Sequence, residues 1–473
     1  MSSSPVNSDS ILNRRHFLRA ASGFGAFALA DLLTKEASAH PLRVPHFPAT
    51  ARSVIFLFMP GGPSQIDLLD HKPELRKWNG KPLPASATKD LKLAFIKPNA
   101  SAVASPRSFS RHGQSGAEIS DLLPHTAQCA DDLCILRGLH TDAFNHDPGE
   151  LLLMTGSMQF GRPSMGAWVT YGLGSESQDL PGFVVLSSGT PPSAGANDWS
   201  NGFLPSTYQG TPLRSSGDPI LYLSNPDGFS REMQRSRLDA IRRMNEKRLR
   251  DTGDAEIQAR IASYELAFRM QMAAPELLDI SREPRHILDE YGVNREPTHQ
   301  YGLHCLLARR MVERGVRFVL VPHGSWDDHN DLDKNLRKNC EITDKPAAAL
   351  VRDLKRRGLL DSTLVVWGGE FGRTPMTQQQ RPDIAYGRDH HPNGFSMWLA
   401  GGGIRPGQTV GKTDEFGLEA VEDRVHVHDL QATILHCLGF DHTRLTYPHA
   451  GRNFRLTDVE GNVISKLLKK RQA

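Results

Sequence analysis

Ser53-Val54-Ile55-Phe56-Leu57-Phe58-Met59 is an almost unbroken apolar run. A strand with one wet face alternates, so a run without alternation predicts a strand buried on both faces, as in parallel sheets. It ends in Pro60-Gly61-Gly62-Pro63, and a glycine-rich turn at the carboxyl end of a buried strand is where open α/β sheets place their sites. The pattern returns further on. Tyr301 to Arg314 has apolar positions at helical spacing, is closed by Gly315, and leads into the β-forming run Val316 to Val321, which ends at Pro322-His323-Gly324. Asn330 to Leu360 is mostly helical, with Gly358 near its end. Thr363 to Trp367 is a third apolar run ending in Gly368-Gly369-Glu370, and Phe395 to Ala400 a fourth, ending in Gly401-Gly402-Gly403. Strands alternating with helices predict an α/β fold, a mainly parallel central sheet with helices on both faces.

Between these elements the pattern is weaker. Lys81 to Gly116 is rich in Pro, Ala, Ser and Lys and reads as a long surface excursion, while residues 120 to 160 read as helix, strand, loop and helix. Pro181 to Gly217 is dominated by Gly, Pro and Ser around Trp199 and reads as a structured loop covering one sheet edge. Residues from about 229 to 273 form a long charged helical region interrupted near Thr252-Gly253. No repeat or internal boundary divides residues 40–473, so the expectation is a single domain with long loop insertions.

The N-terminus is patterned differently. Asn13-Arg14-Arg15-His16-Phe17-Leu18-Arg19 precedes a Gly/Ala-rich apolar stretch from Ala20 to Leu33, and Ala37-Ser38-Ala39 offers small residues for cleavage before His40. Residues 1–39 therefore read as a twin-arginine signal peptide, with the Tat export machinery as partner and a periplasmic or otherwise exported destination. A retained anchor or an amphipathic surface helix is the competing reading. The stretch falls short of the roughly 20 apolar residues that a spanning helix needs.

Composition changes this picture little. A formal charge of +3 on 473 residues gives no basis for nucleic-acid binding. Five cysteines, Cys129, Cys134, Cys305, Cys340 and Cys437, are too few and too odd in number for a disulfide framework. Buried apolar thiols are the simplest reading, with a Cys129–Cys134 pair after export as the alternative.

Polar groups cluster just past the strand ends: Ser64 and Asp67 after the first, His323, Asp327 and His329 after the second, Glu370 after the third, and His390 and His391 shortly before the fourth. Oxygen and nitrogen ligands arriving on separate loops at one sheet edge can surround a divalent cation. The same residue types also cap turns and helices.

At these residues the chain resembles the alkaline phosphatase and sulfatase superfamily and, within it, the often Tat-exported family catalogued as domain of unknown function 1501. The resemblance rests on Gly61 to Asp67, Ser325-Trp326-Asp327-Asp328-His329, Gly368 to Pro375, and the tail from His428-Asp429-Leu430 through Gly451-Arg452. It implies an alkaline phosphatase-like fold, with Glu370 in place of a metal-binding aspartate, Asp327 as a second ligand, and His390 or His391 as the late histidine ligand. Phe371 stands where a histidine ligand is usual, and Pro60 and Gly61 stand where the first strand normally supplies an aspartate, leaving Asp67 as the nearest substitute. His146-Asp147-Pro148-Gly149-Glu150 is similar to the segment that opens with the nucleophile, so His146 occupies that position. An imidazole cannot become a formylglycine or the usual seryl or threonyl phosphoenzyme, but it can act as ligand, base or even nucleophile; capping the following helix is its other reading.

The implied function is hydrolysis of phosphate or sulfate esters, sulfated or phosphorylated glycans among them. A divalent metal (Zn, Mn, Mg or Ca) would activate water directly. The expected metal ligands are Asp67, Asp327, His329, Glu370, His390 and His391. His146 and Arg373 are the expected catalytic residues, with Arg373 or Arg388 contacting the anion through a guanidinium fork. The alternatives are a non-catalytic glycan- or anion-binding protein, with Trp199, Trp326 or Trp398 stacking on sugars, and an assembly role with a partner encoded elsewhere.

Overall fold

The computed structural model describes residues 44–470 apart from 90, 92, 215–227 and 379–384. The arginine-rich segment and its cleavage site lie outside the described residues. The principal strands are β1 (Ser53–Phe58), β2 (Leu133–His140), β3 (Phe183–Leu186), β4 (Thr211–Leu213), β5 (Phe318–Pro322), β6 (Thr363–Gly368), β7 (Gly372–Thr377), β8 (Arg388–His391), β9 (Phe395–Gly401), β10 (Gln408–Val410) and β11 (Val425–His426). The principal helices are α1 (His146–Thr155), α2 (Met165–Leu173), α3 (Arg231–Thr252), α4 (Ala255–Leu278), α5 (His299–Glu313), α6 (Leu332–Arg356) and α7 (Val427–Cys437).

The central sheet runs β10-β2-β9-β6-β1-β5-β3-β4, with β11 also paired to β2. Its middle is parallel: β1 pairs with both β5 and β6, and β5 with β3. The two-residue period of β1 explains its unbroken apolar run. Ile55 and Leu57 join Val319, Val321 and Val365 under α5 and α6, whereas Val54, Phe56 and Phe58 join Leu320 and Val366 under α1, α2 and α7. Each such side chain contributes about 1.5–3 kcal/mol by leaving water, so the two cores fix which strand ends share an edge.

The fourth apolar run, β9, is antiparallel to both β6 and β2. Among the described residues no helical crossover separates it from β6; Gly372–Thr377 and Arg388–His391 pair with each other between the two strands. Two loop readings are corrected. Within the stretch read as a covering loop, Phe183–Leu186 and Thr211–Leu213 instead form the sheet edge, as β3 and β4. The stretch 81–116 is not only surface: Leu83, Ala100 and Ala102 build a small core with Ile66, Leu75, Met376 and Phe416.

The charged region is a helical pair, α3 and α4, broken at Gly253 in the left-handed conformation. Among the described residues no helix is long and apolar enough to cross a membrane. All five cysteines are buried and free, so Cys129 and Cys134 are not paired.

Candidate metal centre

β1, β5 and β6 end side by side, and the turns leaving them carry the site. Gly61, at φ +114°, lets the turn after β1 lie against the next one: a Cβ there would come within 2.6 Å of the Asp327 backbone nitrogen. The loop after β5 brings Asp327 and His329, the turn after β6 brings Glu370, β8 brings His390, and the first turn of α1 brings His146.

These side chains converge. Asp327 Oδ1 lies 3.1 Å from His146 Nε2, 2.8 Å from His329 Nε2 and 3.2 Å from His390 Nε2, and the last two nitrogens are 3.1 Å apart. The far side of each ring is held by an acceptor. His146 Nδ1 meets Glu370 Oε1 at 2.6 Å, His390 Nδ1 meets the Phe144 carbonyl at 2.7 Å, and His329 Nδ1 meets Gln378 Oε1. An acceptor at Nδ1 fixes the hydrogen there and leaves Nε2 as a lone pair in the neutral ring. Three imidazole lone pairs and a carboxylate oxygen thus face one point, and donors anchored to outer-shell acceptors are how metal-binding histidines are oriented. The donor set fits a divalent ion: ligand atoms of His146, Asp327, His329 and His390 all lie within 4.8 Å of one another, and so do those of His146, Glu150 and Glu370.

The electrostatics follow. Burial opposes ionisation of Asp327, but the three imidazoles and Arg373 hold its carboxyl far below the usual range. Burial also opposes the charged form of His146, yet Asp327 and Glu370 outweigh it and hold the ring up at about 9. His390, more buried than it is paired, is shifted down. A cavity of about 380 Å³ opens beside the cluster, lined in part by Gly61, His146, Glu150, Thr190, Ser325, Asp327, Asn335 and Lys338.

Of the expected residues, then, His146, Asp327, His329, Glu370 and His390 come together, Glu370 behind His146 rather than beside Asp327. The others do not. Asp67 is fully buried in an ion pair with Arg388, 2.9 Å from its Nε, and accepts a hydrogen bond from Ser64. His391, neighbour of His390 on a strand, points to the opposite side and contacts the Leu418 carbonyl. Arg373 has 0 % exposure. Its nitrogens are spent on the carbonyls of Gly61, Gly62 and Arg388 and on Asp327 Oδ1 at 2.6 Å, so it has no fork left for a ligand. Arg388 is equally buried. Trp326 and Trp398 are core residues, and the Trp326 indole donates to the His323 carbonyl; neither can stack on a sugar.

Glu150 and Lys338 were missed. Glu150 lies four residues after His146 and so on the same face of α1, a spacing the sequence did offer.

A mainly parallel sheet with helices on both faces and histidines and carboxylates gathered at its carboxyl edge defines an α/β protein with a candidate metal centre. The family described as "Protein of unknown function (DUF1501)" matches residues 51–468, and the chain belongs to that family. No curated protein matches it. Solved structures similar in fold include the lipoteichoic acid synthase LtaP from Listeria monocytogenes (9 % identity, 90 % of this chain and 80 % of that one, TM-score 0.37). The PsFucS1 sulfatase from Pseudoalteromonas sp. is another (13 %, 87 % and 71 %, 0.34), and a mutant of TAB5 alkaline phosphatase, from an Antarctic bacterium, a third (9 %, 75 % and 92 %, 0.32).

Proposed function

We propose that the chain is an exported, metal-dependent hydrolase of phosphate or sulfate esters. The observation that carries this reading is the meeting of three Nε2 lone pairs and Asp327 Oδ1 at one point, each ring anchored from behind. His146, Asp327, His329 and His390 would hold the ion. When bound there, a divalent metal supplies Lewis acidity toward an ester oxygen and toward water.

The chain's own residues shape the rest. His146 stands where the superfamily resemblance puts the nucleophile, and it is locked between Glu370 and Asp327, which favours a route without a covalent enzyme intermediate. Arg373 fixes Asp327 and the turn after β1 rather than the substrate. Contact with the anion falls to Lys338, which reaches the cavity from α6. The paired Arg14 and Arg15 support export by the Tat route in the folded state, with residues 40–473 as the single working domain.

The test is metal analysis and ester hydrolysis with purified full-length protein. Wild type should retain a divalent ion and cleave p-nitrophenyl phosphate or sulfate. Asp327→Ala should retain the ion at least about a thousandfold less well, because it removes the charged member of a set whose binding energy is on the order of 10 kcal/mol. A metal-free preparation that takes up none of Zn, Mn, Mg or Ca and gains no esterase activity from them ends this reading.

A further inference from the structure

Leu91, Leu93 and Ile96 pack against the small core that includes Ile66, Leu75 and Met376. Phe95, set among them in sequence, is instead 62 % exposed. A single exposed phenylalanine is ordinary on a protein surface, but two features set this one apart. Its ring centroid lies 5.7 Å from that of His329 and 5.7 Å from that of His390, in T-shaped arrangements at 86° and 78°. Its backbone is also tied to the strand that carries His390. Asp389 on β8, with 0 % exposure, accepts through Oδ2 from the Phe95 amide at 2.8 Å and the Ile96 amide at 3.2 Å, and through Oδ1 from the His390 amide at 2.9 Å. A buried carboxylate is costly unless its oxygens are bonded. Here those bonds hold the Phe95 loop and a member of the donor set in one arrangement.

The cavity of about 380 Å³ meets the cluster at His146 and Asp327, whereas Phe95 meets it at His329 and His390. An anion seated at the cluster therefore has an open aromatic ring beside it, away from the polar cavity wall. We infer that Phe95 is a specificity residue of this centre. It packs against the alcohol part of the ester and selects esters in which that part presents a flat apolar face, an aryl ring or the C–H face of a sugar ring. Covering an exposed ring removes its apolar area from water, and stacking adds to that gain. A small alkyl ester carries the same anion but has no face to offer. The inference rests on the reading of the cluster as a metal centre that binds esters. Trp326 and Trp398, the tryptophans buried in the core, cannot give a ligand an aromatic surface, and Phe95 can. Lys338, at the cavity, addresses the anion common to all such esters and so does not choose among them.

Full-length protein is loaded with Zn²⁺, which a nitrogen-rich donor set favours, and titrated calorimetrically with three phosphonates that cannot be hydrolysed as esters. These are methylphosphonate, phenylphosphonate and the phosphonate analogue of glucose 6-phosphate. Wild type should bind the phenyl or the sugar compound at least about fivefold more tightly than methylphosphonate, and which of the two it prefers separates an aryl from a sugar face. Phe95→Ala should bring the preferred compound to the level of methylphosphonate while leaving methylphosphonate affinity and zinc content as in wild type. Phe95→Tyr should keep the preference, and Phe95→Leu, apolar but not flat, should lose most of it. With an ester of the preferred class, Phe95→Ala should raise KM by the same factor and change kcat little, as loss of uniform binding does. The inference is overturned if wild type binds the three phosphonates alike or not at all, or if Phe95→Ala keeps the preference. Loss of zinc from Phe95→Ala also overturns it, since Phe95 would then be a prop for the histidines. A Phe95-dependent preference without ester turnover sustains the inference and removes the hydrolase reading, and turnover without the preference does the reverse.

Discussion

Two buried clusters of charge in this protein differ in whether they are complete. Between α5 and α6, Arg309 is 2 % exposed and reaches Glu283 at 2.7 Å, Glu313 at 2.7 Å and Asp353 at 3.2 Å, while Arg310 also holds Glu283 and Arg357 holds Asp353. Every acceptor there meets a donor. At the carboxyl edge of the sheet, by contrast, His329 Nε2 faces His390 Nε2 at 3.1 Å, and ligand atoms of His146, Glu150 and Glu370 lie within 4.8 Å of one another. The first cluster is a structural device that needs nothing further. The second is an arrangement of acceptors that becomes favourable with cations the chain does not itself supply.

The contrast breaks most visibly at Arg309. Arg309→Met leaves Glu283, Glu313 and Asp353 short of a partner and should cost about 3 kcal/mol in urea unfolding, the penalty of stripping one member from a buried ion network. Metal content of the folded fraction should stay at the wild-type level. Loss of metal together with stability would mean that the two clusters are coupled, contrary to the comparison.

Glu370→Gln probes the other cluster with a smaller effect. Glutamine keeps the shape of the acceptor behind His146 but not its charge, and outer-shell changes of this kind weaken metal binding by about 10–100-fold. Competition with a chromogenic chelator measures this directly. An unchanged affinity would show that Glu370 does not orient His146.

How far the sequence reached follows the same division. Apolar runs report burial on two faces, so the central strands and the edge at which they end were readable from Ser53–Met59, Val316–Val321 and Thr363–Trp367. The antiparallel turn of β9 was not, because period and composition do not encode strand direction. Residues just past strand ends were also legible, and Asp327, His329 and Glu370 were found that way, with His390 found shortly before β9. What sequence could not separate was a polar residue that faces the cavity from one already spent. Asp67 and Arg388 neutralise each other, Arg373 is consumed by carbonyls, and His391 lies on the wrong side of a strand whose period put its neighbour in the site.

The finest test is the pH dependence of the metal-free protein between pH 6.5 and 8. The paired cluster is not the source of a slope there: burial would raise the Glu283 carboxyl, but Arg309 and Arg310 hold it below its ordinary value, far from this window. The metal-site cluster is. The Glu150 carboxyl is raised to about 8, and the His146 ring, through Asp327 and Glu370, to about 9. Both lie above their unfolded values of about 4.5 and 6.5, so the folded state holds protons that the unfolded state has released. Their contribution is therefore greatest at the low end of the window and is lost as pH rises through it, at up to about 1.4 kcal/mol per pH unit for each group. His304 and His323, lowered to about 4 by burial, oppose this slope near pH 6.5, where their unfolded rings are still about half protonated, and add little above about pH 7.5. Urea midpoints should fall from about pH 7.5 to 8, Glu150→Gln should flatten that fall, and saturating Zn²⁺ should reverse it, because the ion binds the deprotonated groups. A flat profile in the metal-free wild type would mean that these acceptors are already paired, and the distinction between the two clusters would disappear.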